Sequence, residues 1–362
     1  MAKQKLMHVL YSGIGGHGNV FKNFVEADVN KQYNYSALFY GIEPMRDSYE
    51  AFCIENDIVY SYCNKNIGVD LLFYFRILLA IIKQKPDVIF LHGSYLIFPC
   101  FLFSKFKKCK VLVRETQANH LKTKIDFLML KWALQWADHV VFLTEEFKKE
   151  VVKRYALKNI KPKISVIPNG IDLNTLDQNR DYLKEATLAC MVSRIVSIKD
   201  FFTLVSAFEL LQKKGSPLQL KIAGKGALED ELKKLIADKE IRNIQFVGEL
   251  NESQIFSLLN ASDMYIHPTF GETMSTSLMQ AMGAGLPIIS SNVDGVKNMI
   301  DHGKTGLLVK TEAIEELVAA IENICSSPTL RSQLGKAAYQ VSIKKFDRIK
   351  MFDAYSQLIQ PS

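Results

Sequence analysis

The chain has 362 residues, which is enough for two domains of ordinary size. Hydrophobic residues make up 48% of it and charged residues 23%, a composition typical of globular proteins that excludes disordered and collagen-like classes. The formal net charge of +7 suits a phosphate-bearing ligand, an anionic membrane surface or nucleic acid. Since no arginine-rich run, RNA-binding aromatic motif or zinc-finger spacing accompanies the charge, nucleic acid is disfavoured.

The cysteines and apolar segments predict where the protein resides. The six cysteines lie far apart without a C-x-x-C pair, so we expect free thiols in a reducing cytoplasm. The start of the chain, MAKQKLMHVLYSG, has too short an apolar run for a signal peptide. The longest apolar stretches, Leu71–Ile82 and Tyr95–Phe103, fall short of the roughly 20 residues that span a bilayer. We therefore expect a cytoplasmic protein.

In the first part of the chain, short apolar segments alternate with helical patterns. This alternation, with apolar strands, indicates a parallel sheet covered on both faces. The predicted strands are Leu6–Tyr11, Tyr35–Tyr40, Asp87–Leu91, Val111–Val113 and His139–Leu143. The predicted helices are Val20–Asn30, Leu71–Gln84, Ile125–Ala137 and Glu145–Tyr155.

The alternation restarts after the strand Ile164–Ile167 and the turn Pro168-Asn169-Gly170. Further strands are predicted at Thr187–Val192, Leu218–Ala223, Ile244–Val247, Met264–His267 and Pro287–Ser290. Further helices are predicted at Asp200–Lys214, Leu228–Lys239, Ser253–Ala261, Ser275–Gly283 and Glu312–Cys325. The chain therefore reads as two consecutive open α/β sheets joined near residues 165–185. Ligands bind beyond the carboxyl ends of strands in such sheets, so the loops after the strands are the candidate binding segments.

The first such loop, Gly13–Gly18, has the spacing G-x-G-x-x-G between a strand and a helix. Glycines at this spacing let backbone N–H groups approach a phosphate, as in dinucleotide-binding proteins. The NAD-binding version also needs an acid after the second strand, and the nearest one, Glu43, comes a little late. The motif therefore fits either a phosphate-binding loop or a glycine-rich turn whose only role is a tight connection between the strand and the helix.

The second loop places two cations, Arg194 and Lys199, between a strand and a helix. Arginine offers a planar fork to a phosphate and lysine a compact charge, so the pair could neutralise a departing diphosphate. A solvated basic loop is the alternative.

The third loop, Thr269–Ser277, places the carboxylate of Glu272 just before a helix that begins with serine and threonine. The free N–H groups and the dipole of a helix start favour an anion. Ordinary N-capping by Ser275 or Thr276 is the alternative. The sequence contains no histidine or paired-acid spacing that is typical of a metal site.

Taken together, these segments resemble the GT-B retaining glycosyltransferases of family GT4. The resemblance extends over about residues 6–345 and is strongest from 138 to 310. It rests on five segments that occur in the family's order: Ser165–Asp172, Arg194–Lys199 (R-x4-K), Ile222–Gly226, Phe246–Gly248 and Phe270–Gly285 (the E-x7-E region).

The resemblance implies a GT-B fold, with two facing Rossmann-like domains, parallel sheets and a cleft between them. Residues 1–168 would form an N-terminal domain on the acceptor side, and residues 169–345 a C-terminal domain that binds the donor. Residues 346–362 would form a helix that packs back on the N-terminal domain. The implied reaction is transfer of a sugar from a nucleotide donor, most often a UDP-sugar, without a metal or other cofactor. The acceptor would be a glycan or a lipid-linked sugar in polysaccharide synthesis.

The resemblance also implies roles for individual residues. Arg194 and Lys199 would hold the diphosphate, and Glu272 would bind hydroxyls of the donor sugar. Position 280 would bind the ribose. The remaining donor-site residues implied by the motifs are Gly15, Gly16, Gly224, Gly248, Met274, Ser275 and Thr276.

Two departures from the family pattern stand out. The second glutamate of E-x7-E is replaced by Gln280, whose amide oxygen can accept a hydrogen bond but without the strength of a charge. The family often has a histidine after the strand that ends here at Val113. His92, Glu115 and His120 are candidates to replace it on the acceptor side, although a structural role suits each equally.

Other functions fit parts of these observations. Gln280 and the missing histidine are compatible with a non-catalytic subunit that binds a sugar nucleotide. The Gly13–Gly18 loop is compatible with a NAD-dependent dehydrogenase, which leaves Arg194, Lys199 and Glu272 unexplained. A GT-B epimerase is a further variant.

Two apolar segments with flanking cations, Leu71–Lys85 and Tyr95–Lys110, predict helices with two different uses. Basic and aromatic helices can lie on anionic membranes. The alternative is that their apolar faces cover the N-terminal sheet while the lysines are solvated. The cations in question are Arg76, Lys83, Lys85, Lys105, Lys107, Lys108 and Lys110.

Overall fold

The structure of the protein, a computed structural model, describes residues 3–13, 15–68, 70–117, 119, 122–155, 163–174, 176 and 180–360. Residue contacts divide it into two compact units. Unit 1 comprises Met1–Gly170 with Arg348–Ser362, and unit 2 comprises Ile171–Asp347. These limits lie two residues from the predicted boundaries. Among the described residues, no helix is both long and apolar enough to cross a membrane.

Unit 1 is built on a seven-stranded sheet whose paired strands all run parallel. Its strands are β1 (Gln4–Tyr11), β2 (Tyr33–Gly41), β3 (Val59–Asn64), β4 (Val88–His92), β5 (Lys110–Glu115), β6 (His139–Phe142) and β7 (Ile164–Val166). Their order across the sheet is β3-β2-β1-β4-β5-β6-β7. The direction of chain progression reverses between β1 and β4, which creates a crevice at their carboxyl ends.

Helices cover both faces of this sheet. They are α1 (Gly16–Ala27), α2 (Asp47–Glu55), α3 (Leu71–Gln84), α4 (Ile97–Phe106), α5 (Lys124–Trp136) and α6 (Glu145–Arg154), together with the C-terminal helix Arg348–Ile359. Helices α3 to α6 pack with Met7 and Val9 of β1 on one face. Helices α1 and α2 and the C-terminal helix pack with Leu6 and Leu10 on the other face. The alternation of side chains along β1 explains the division.

Unit 2 is built on a six-stranded parallel sheet in the order β10-β9-β8-β11-β12-β13. Its strands are β8 (Leu188–Val192), β9 (Gln219–Ala223), β10 (Ile244–Gly248), β11 (Met264–His267), β12 (Ile288–Ser291) and β13 (Leu307–Val309). This is the Rossmann order, and the direction reverses between β8 and β11.

The helices of unit 2 are α7 (Phe201–Lys213), α8 (Glu229–Asp238), α9 (Glu252–Ala261), α10 (Thr276–Gly283), α11 (Asp294–Lys297), α12 (Ile314–Ser326) and α13 (Pro328–Lys345). The C-terminal helix of unit 1 is therefore α14. Asp200 caps α7 by accepting from the Thr203 N–H, and its other oxygen accepts from the Glu312 N–H at 3.0 Å. One carboxylate thus fixes both the start of α7 and the chain entering α12.

The Pro168-Asn169-Gly170 turn is held inside unit 1 by contacts with β5 and with the C-terminal helix. The Arg114 guanidinium, which is 1% exposed, donates to the amide oxygen of Asn169. A Cβ at Gly170 would lie 2.5 Å from the Cα of Arg348, so only glycine fits this approach to α14. The turn is therefore a close-packing element rather than a loose linker.

The predicted elements are present, most of them with shifted ends, and several others were not predicted. Helix α1 begins at Gly16 rather than Val20, because the glycine-rich loop leads directly into the helix, and it ends at Ala27 rather than Asn30. Asp28 follows it and accepts from the backbone N–H groups of Gln32 and Tyr33, which turns the chain toward β2. The unpredicted elements are α2, β3, α11, β13 and α13.

Replacement of Phe208 by alanine tests the core of unit 2. Its ring is fully buried on α7, so we expect Phe208→Ala to lower the free energy of unfolding by about 3–5 kcal/mol. Phe202 on the same helix is 43% exposed, and Phe202→Ala should change it by only about 0.5 kcal/mol. Urea unfolding of both variants measures the difference. Equal losses would contradict the placement of α7.

Candidate functional site

The reversal point of unit 2 brings together the loop after β8 and the loop after β11. Lys199 forms an isolated antiparallel bridge with Thr269, and the Phe270 N–H donates to the Ile198 carbonyl at 2.9 Å. The Asp200 N–H donates to the Pro268 carbonyl at 3.2 Å. The two loops are thus joined along their backbones, and the residues they carry have fixed relative positions.

Thr269 connects these two loops to a third strand. It is fully buried, and its N–H donates to the hydroxyl of Ser291 at the end of β12 at 2.8 Å. Its own hydroxyl lies 3.0 Å from the Ile198 carbonyl and 2.8 Å from the Gly271 carbonyl. This side chain therefore sets the path of the chain from β11 to Glu272.

Lys199, Glu272 and His267 meet at this edge of the sheet. The Nζ atom of Lys199 lies 2.5 Å from Oε2 of Glu272 and 3.2 Å from Nε2 of His267. The same Nε2 lies 3.4 Å from Oε2 of Glu272. The His267 side chain is fully buried, whereas those of Lys199 and Glu272 keep 11% and 18% of their exposure. The ion pair is therefore shielded but still reachable by a ligand.

The proton on His267 follows from its neighbours. A neutral imidazole cannot both accept from Lys199 and donate to Glu272 through the same Nε2. We assign the proton to Nδ1, which lies 3.5 Å from the Tyr265 hydroxyl, so that Nε2 accepts from the closer partner, Lys199. Tyr265 is in turn held 2.9 Å from the Ser277 hydroxyl and 3.0 Å from the Val192 carbonyl.

These contacts set the protonation states of the cluster. Burial, together with the charge of Lys199, lowers the pKa of His267 to about 4 against the opposing effect of Glu272. Burial raises the pKa of Glu272, but the charge and hydrogen bond of Lys199 at its Oε2 atom outweigh burial and hold that pKa well below its usual range. At neutral pH the cluster thus contains a neutral imidazole beside a carboxylate and an ammonium.

Two glycines in neighbouring loops support the segment that carries Arg194. Gly224 has φ +136°, and a Cβ there would lie 1.9 Å from the Ser193 carbonyl oxygen. Its N–H donates to the carbonyl of Gly248, which has φ +75°, at 2.7 Å. Only glycine adopts such conformations without strain. The chain ends of β8, β9 and β10 are therefore packed backbone against backbone.

Arg194 differs from Lys199 in its surroundings. It is exposed, and within the described part of the chain its guanidinium has no hydrogen-bond or ion-pair partner. Because an arginine fork is suited to phosphate oxygens, this side chain is free to meet an incoming anion. The structure brings Lys199 to Glu272 but does not bring Arg194 into the same cluster.

The start of α10 carries four further predicted residues. Met274 and Ser275 are buried, and the Ser275 hydroxyl accepts from the Leu278 N–H at 3.3 Å, so Ser275 is the N-cap. Thr276 is the first helical residue, where the N–H groups have no partner within the helix. Gln280 follows one turn later. The residue is 6% exposed. Its side-chain amide makes no hydrogen bond with the residues that the structure describes.

The glycine-rich loop of unit 1 lies after β1. Gly15 is extended and directly precedes α1, which begins at Gly16. A Cβ at Gly18 would lie 2.0 Å from the hydroxyl of Tyr49, which donates to the Gly13 carbonyl at 3.2 Å. The third glycine is thus needed to pack α2 against the loop, a structural use of the motif.

His92 lies at the end of β4, inside unit 1. Its Nε2 is 3.0 Å from Nδ1 of His8, and its ring stacks on Phe90 with centroids 4.7 Å apart. Burial lowers the pKa of His92 well below its usual value, and the nearby His8 and Arg114 lower it further. A neutral, 5% exposed imidazole in this setting is a packed core residue at the edge of the crevice.

The two acceptor-side candidates that the structure describes, His92 and Glu115, are not brought together. His92 pairs in register with Arg114, so both lie on the α1 face of the sheet, and Glu115 points to the opposite face. Glu115 is 5% exposed and lies 3.4 Å from the ammonium of Lys122. Its Oε2 has no hydrogen-bond partner in the described part of the chain. His120 lies outside the described residues.

The interpretation of the sequence missed His267 and Tyr265. Both belong to β11, whose apolar pattern made them strand residues rather than site residues. The available signal was position, because a polar residue at the carboxyl end of a central strand next to the reversal point faces the binding edge. Within the described residues, no group of three or more His, Cys, Asp or Glu side chains is placed to hold a metal ion.

Two family models account for most of the chain. Residues 14–175 match Glycosyltransferase Family 4 and residues 175–341 match Glycosyl transferases group 1. An uncharacterized glycosyltransferase of Methanocaldococcus jannaschii, MJ1069, is 25% identical over 280 residues, which are 72% of this chain and 71% of that protein. Glycogen synthase of Mycobacterium tuberculosis is 22% identical over 275 residues, 73% of this chain and 66% of that protein.

A solved structure shares the fold. Anabaena HepE in complex with UDP-glucose superposes with a TM-score of 0.81 at 14% identity, over 98% of this chain and 99% of that one. The architecture is GT-B, with two Rossmann-like units. The chain belongs to the GT-B glycosyltransferases of the GT4 type. This membership does not favour a NAD-dependent dehydrogenase.

The buried imidazole of His267 makes a prediction about pH. Its pKa is about 4 in the folded protein and near 6.5 in the unfolded chain, so only the unfolded chain gains this proton between those values. Stability is therefore lost as the pH falls through this window, by about 1.4 kcal/mol per pH unit.

Between pH 6.5 and about 4, His267→Asn should reduce the pH slope of the unfolding free energy by about 1.4 kcal/mol per pH unit. Urea titrations at several pH values measure the slope. Above pH 7.5 the two proteins should show the same slope, which serves as the internal control. Parallel slopes at all pH values would mean that His267 is not buried as a neutral ring.

Proposed function

We propose that this glycosyltransferase is a retaining enzyme that moves a sugar from a UDP-sugar to a glycan or lipid-linked acceptor, without a metal ion. The observation that carries the proposal is the shielded Lys199–Glu272 pair, held by His267 at the reversal point of unit 2. It combines a cation suited to a diphosphate with a carboxylate suited to sugar hydroxyls. A role in cell-surface polysaccharide synthesis is part of the same proposal.

The donor would use the two charges in different ways. Glu272, ionised and still 18% exposed, accepts hydrogen bonds from sugar hydroxyls. Lys199 has three N–H donors and can bind a phosphate oxygen while keeping its contact with Glu272. The complex of HepE with UDP-glucose supports this kind of donor, since that GT-B protein binds a sugar nucleotide.

The departing UDP would need compensation for its growing negative charge. When the bond between the anomeric carbon and the β-phosphate oxygen breaks, the electron pair stays on the phosphate. Arg194 and Lys199, with the N–H groups at the start of α10, are the groups of unit 2 suited to stabilise it. The acceptor oxygen forms the new bond to the anomeric carbon on the same face, and its proton passes to the departing phosphate oxygen. These cations would take the place of a metal ion.

Gln280 would meet the nucleotide ribose. Its position one turn into α10, with an amide unpaired among the described residues, allows the side-chain oxygen to accept from a ribose hydroxyl. The acceptor would contact unit 1, where His92 is the last residue of β4 and Glu115, the last residue of β5, has an Oε2 atom that is unpaired among the described residues.

Transfer assays with a panel of sugar nucleotides test this function. We expect turnover with a UDP-sugar, unchanged by EDTA, and an α-linked product from an α-linked donor. Activity lost on chelation and restored by Mg²⁺ would contradict the metal-free mechanism. Binding of sugar nucleotide without either transfer or slow hydrolysis would instead support the non-catalytic subunit.

Glu272→Ala is the most direct change at the site. Loss of the carboxylate should lower kcat by a factor of at least about 10² by removing hydrogen bonds to the sugar. Glu315→Ala, at an exposed position of α12, is the matched control and should keep full activity. Initial rates at saturating donor measure both variants. Equal rates for Glu272→Ala and the parent would remove Glu272 from the proposed site.

Gln280→Glu tests the contact with the nucleotide. A carboxylate accepts more strongly than an amide, so we expect UDP to bind the variant with equal or up to about tenfold higher affinity. Calorimetry with UDP measures the change. Weaker binding of UDP by Gln280→Glu would show that the site requires the neutral amide. A sugar phosphate, which has no ribose, is the control ligand, and its affinity should not change.

A further inference from the structure

Helices α3, α4 and α5 form one layer over the sheet of unit 1, in which α3 contacts α4 and α4 contacts α5. The inward side chains of α3, Phe73, Ile77 and Ile81, are 0% exposed and pack on the strands. These three side chains cover the sheet, which is one of the two uses that the sequence predicts for this segment. The remaining apolar residues of α3 have no such role.

Five large apolar side chains of α3 point to solvent. Leu72, Phe75, Leu79 and Ile82 are 70%, 58%, 49% and 44% exposed, and Leu71 beside them is 77% exposed. At 100° per residue they fall on one side of the helix, opposite the buried residues. We call these five residues the outward stripe.

The exposed apolar surface continues on the neighbouring helices. Phe98 and Phe106 of α4 are 45% and 81% exposed, and Ile125 and Leu128 of α5 are 62% and 42% exposed. The layer thus carries nine of the eighteen large hydrophobic residues that are exposed among the described residues, whereas unit 2 carries three. Such clustering marks an interaction surface rather than scattered exposure.

Cations accompany this surface, and acids are nearly absent from it. Besides Lys105, whose ammonium lies over the ring of Phe101, five exposed lysines make no ion pair with the described residues: Lys83, Lys85, Lys108, Lys124 and Lys131. We call them the lysine set. Helices α3 and α4 contain no acidic residue, and α5 contains only Asp126, which is part of a capping box with Thr123.

We propose that the α3–α5 layer docks on the surface of an anionic lipid bilayer, with the outward stripe in the interface and the lysine set on the headgroups. Apolar side chains with adjacent lysines match both the acyl boundary and the negative headgroups of such a surface. A symmetric contact with a second copy would bring the same unpaired lysines of both chains together. The proposal does not depend on the donor site in unit 2.

Vesicle flotation with the full chain tests the docking. At low salt the protein should float with vesicles of phosphatidylcholine and phosphatidylglycerol and stay in solution with phosphatidylcholine alone. High salt should release most of it, because screening weakens the attraction of the lysines. Protein that stays in solution with the anionic vesicles, or that floats equally with both kinds, overturns the proposal.

The double variant Leu72→Ser with Phe75→Ser tests the outward stripe. Both residues are more than half exposed, so the fold should survive, while the partition coefficient should fall roughly tenfold or more. The matched control is Leu183→Ser with Phe202→Ser, two exposed apolar residues of unit 2, which should float like the parent. Thermal unfolding confirms folding of each variant.

The double variant Lys83→Glu with Lys108→Glu tests the charges. Each lysine near an anionic surface contributes about a fivefold gain in affinity, so the two reversals should abolish flotation. Lys234→Glu with Lys336→Glu, on exposed positions of unit 2, is the control of equal charge and should retain it. Equal flotation of the two charge variants overturns the proposal. Light scattering that shows a dimer, dissociated by the outward-stripe variant, would assign the surface to a second copy instead.

Discussion

The parallel direction of the strands is the constraint on which the rest of this structure depends. When all strands of a sheet run the same way, their carboxyl ends lie along one edge, and every loop that follows a strand is carried to that edge. In unit 2 the strand order reverses between β8 and β11, so two loops far apart in sequence become neighbours. The backbone bridge between Lys199 and Thr269 then joins these loops.

The ion pair at this edge has a cost that its surroundings only partly offset. Removing an ammonium and a carboxylate from water is unfavourable, and buried pairs of this kind add little net stability. The pair therefore serves to hold two charged groups ready in fixed positions more than it serves the fold. His267 contributes by staying neutral, because a second cation beside Lys199 would compete with it for Glu272.

In unit 1, one layer of helices both covers the sheet and presents an apolar surface to solvent. The inward side of α3 contains Phe73, Ile77 and Ile81, which remove the sheet from water. The outward side is apolar as well, so the helix is hydrophobic nearly all around, although only one side is covered. A helix with this pattern is usually buried on all sides, which is why its exposed side here indicates a binding surface. On the other face of the sheet, α1 and α14 leave no comparable stripe.

Much of the fold was determined by the sequence alone, because apolar periodicity and strand–helix alternation are local properties. They predicted the central strands and the two consecutive sheets, and they placed Arg194, Lys199 and Glu272 in loops after strands. They did not predict β3 and β13, which lie at sheet edges, pair on one side only and are too weakly apolar to stand out. They left His92, Glu115 and His120 as alternative acceptor-side candidates, and the strand register adds that the side chains of His92 and Glu115 lie on opposite faces of the sheet.

Only the tertiary structure decided which residues meet. Lys199 and His267 are separated by 68 positions and Lys199 and Glu272 by 73, and their contact depends on the order of the strands rather than on any local pattern. The same holds for α14, which follows unit 2 in sequence but packs on α1 in unit 1. The sequence by itself thus determined the elements and the chemical groups, while strand order and burial decided their neighbours, because these arise only when distant segments pack together.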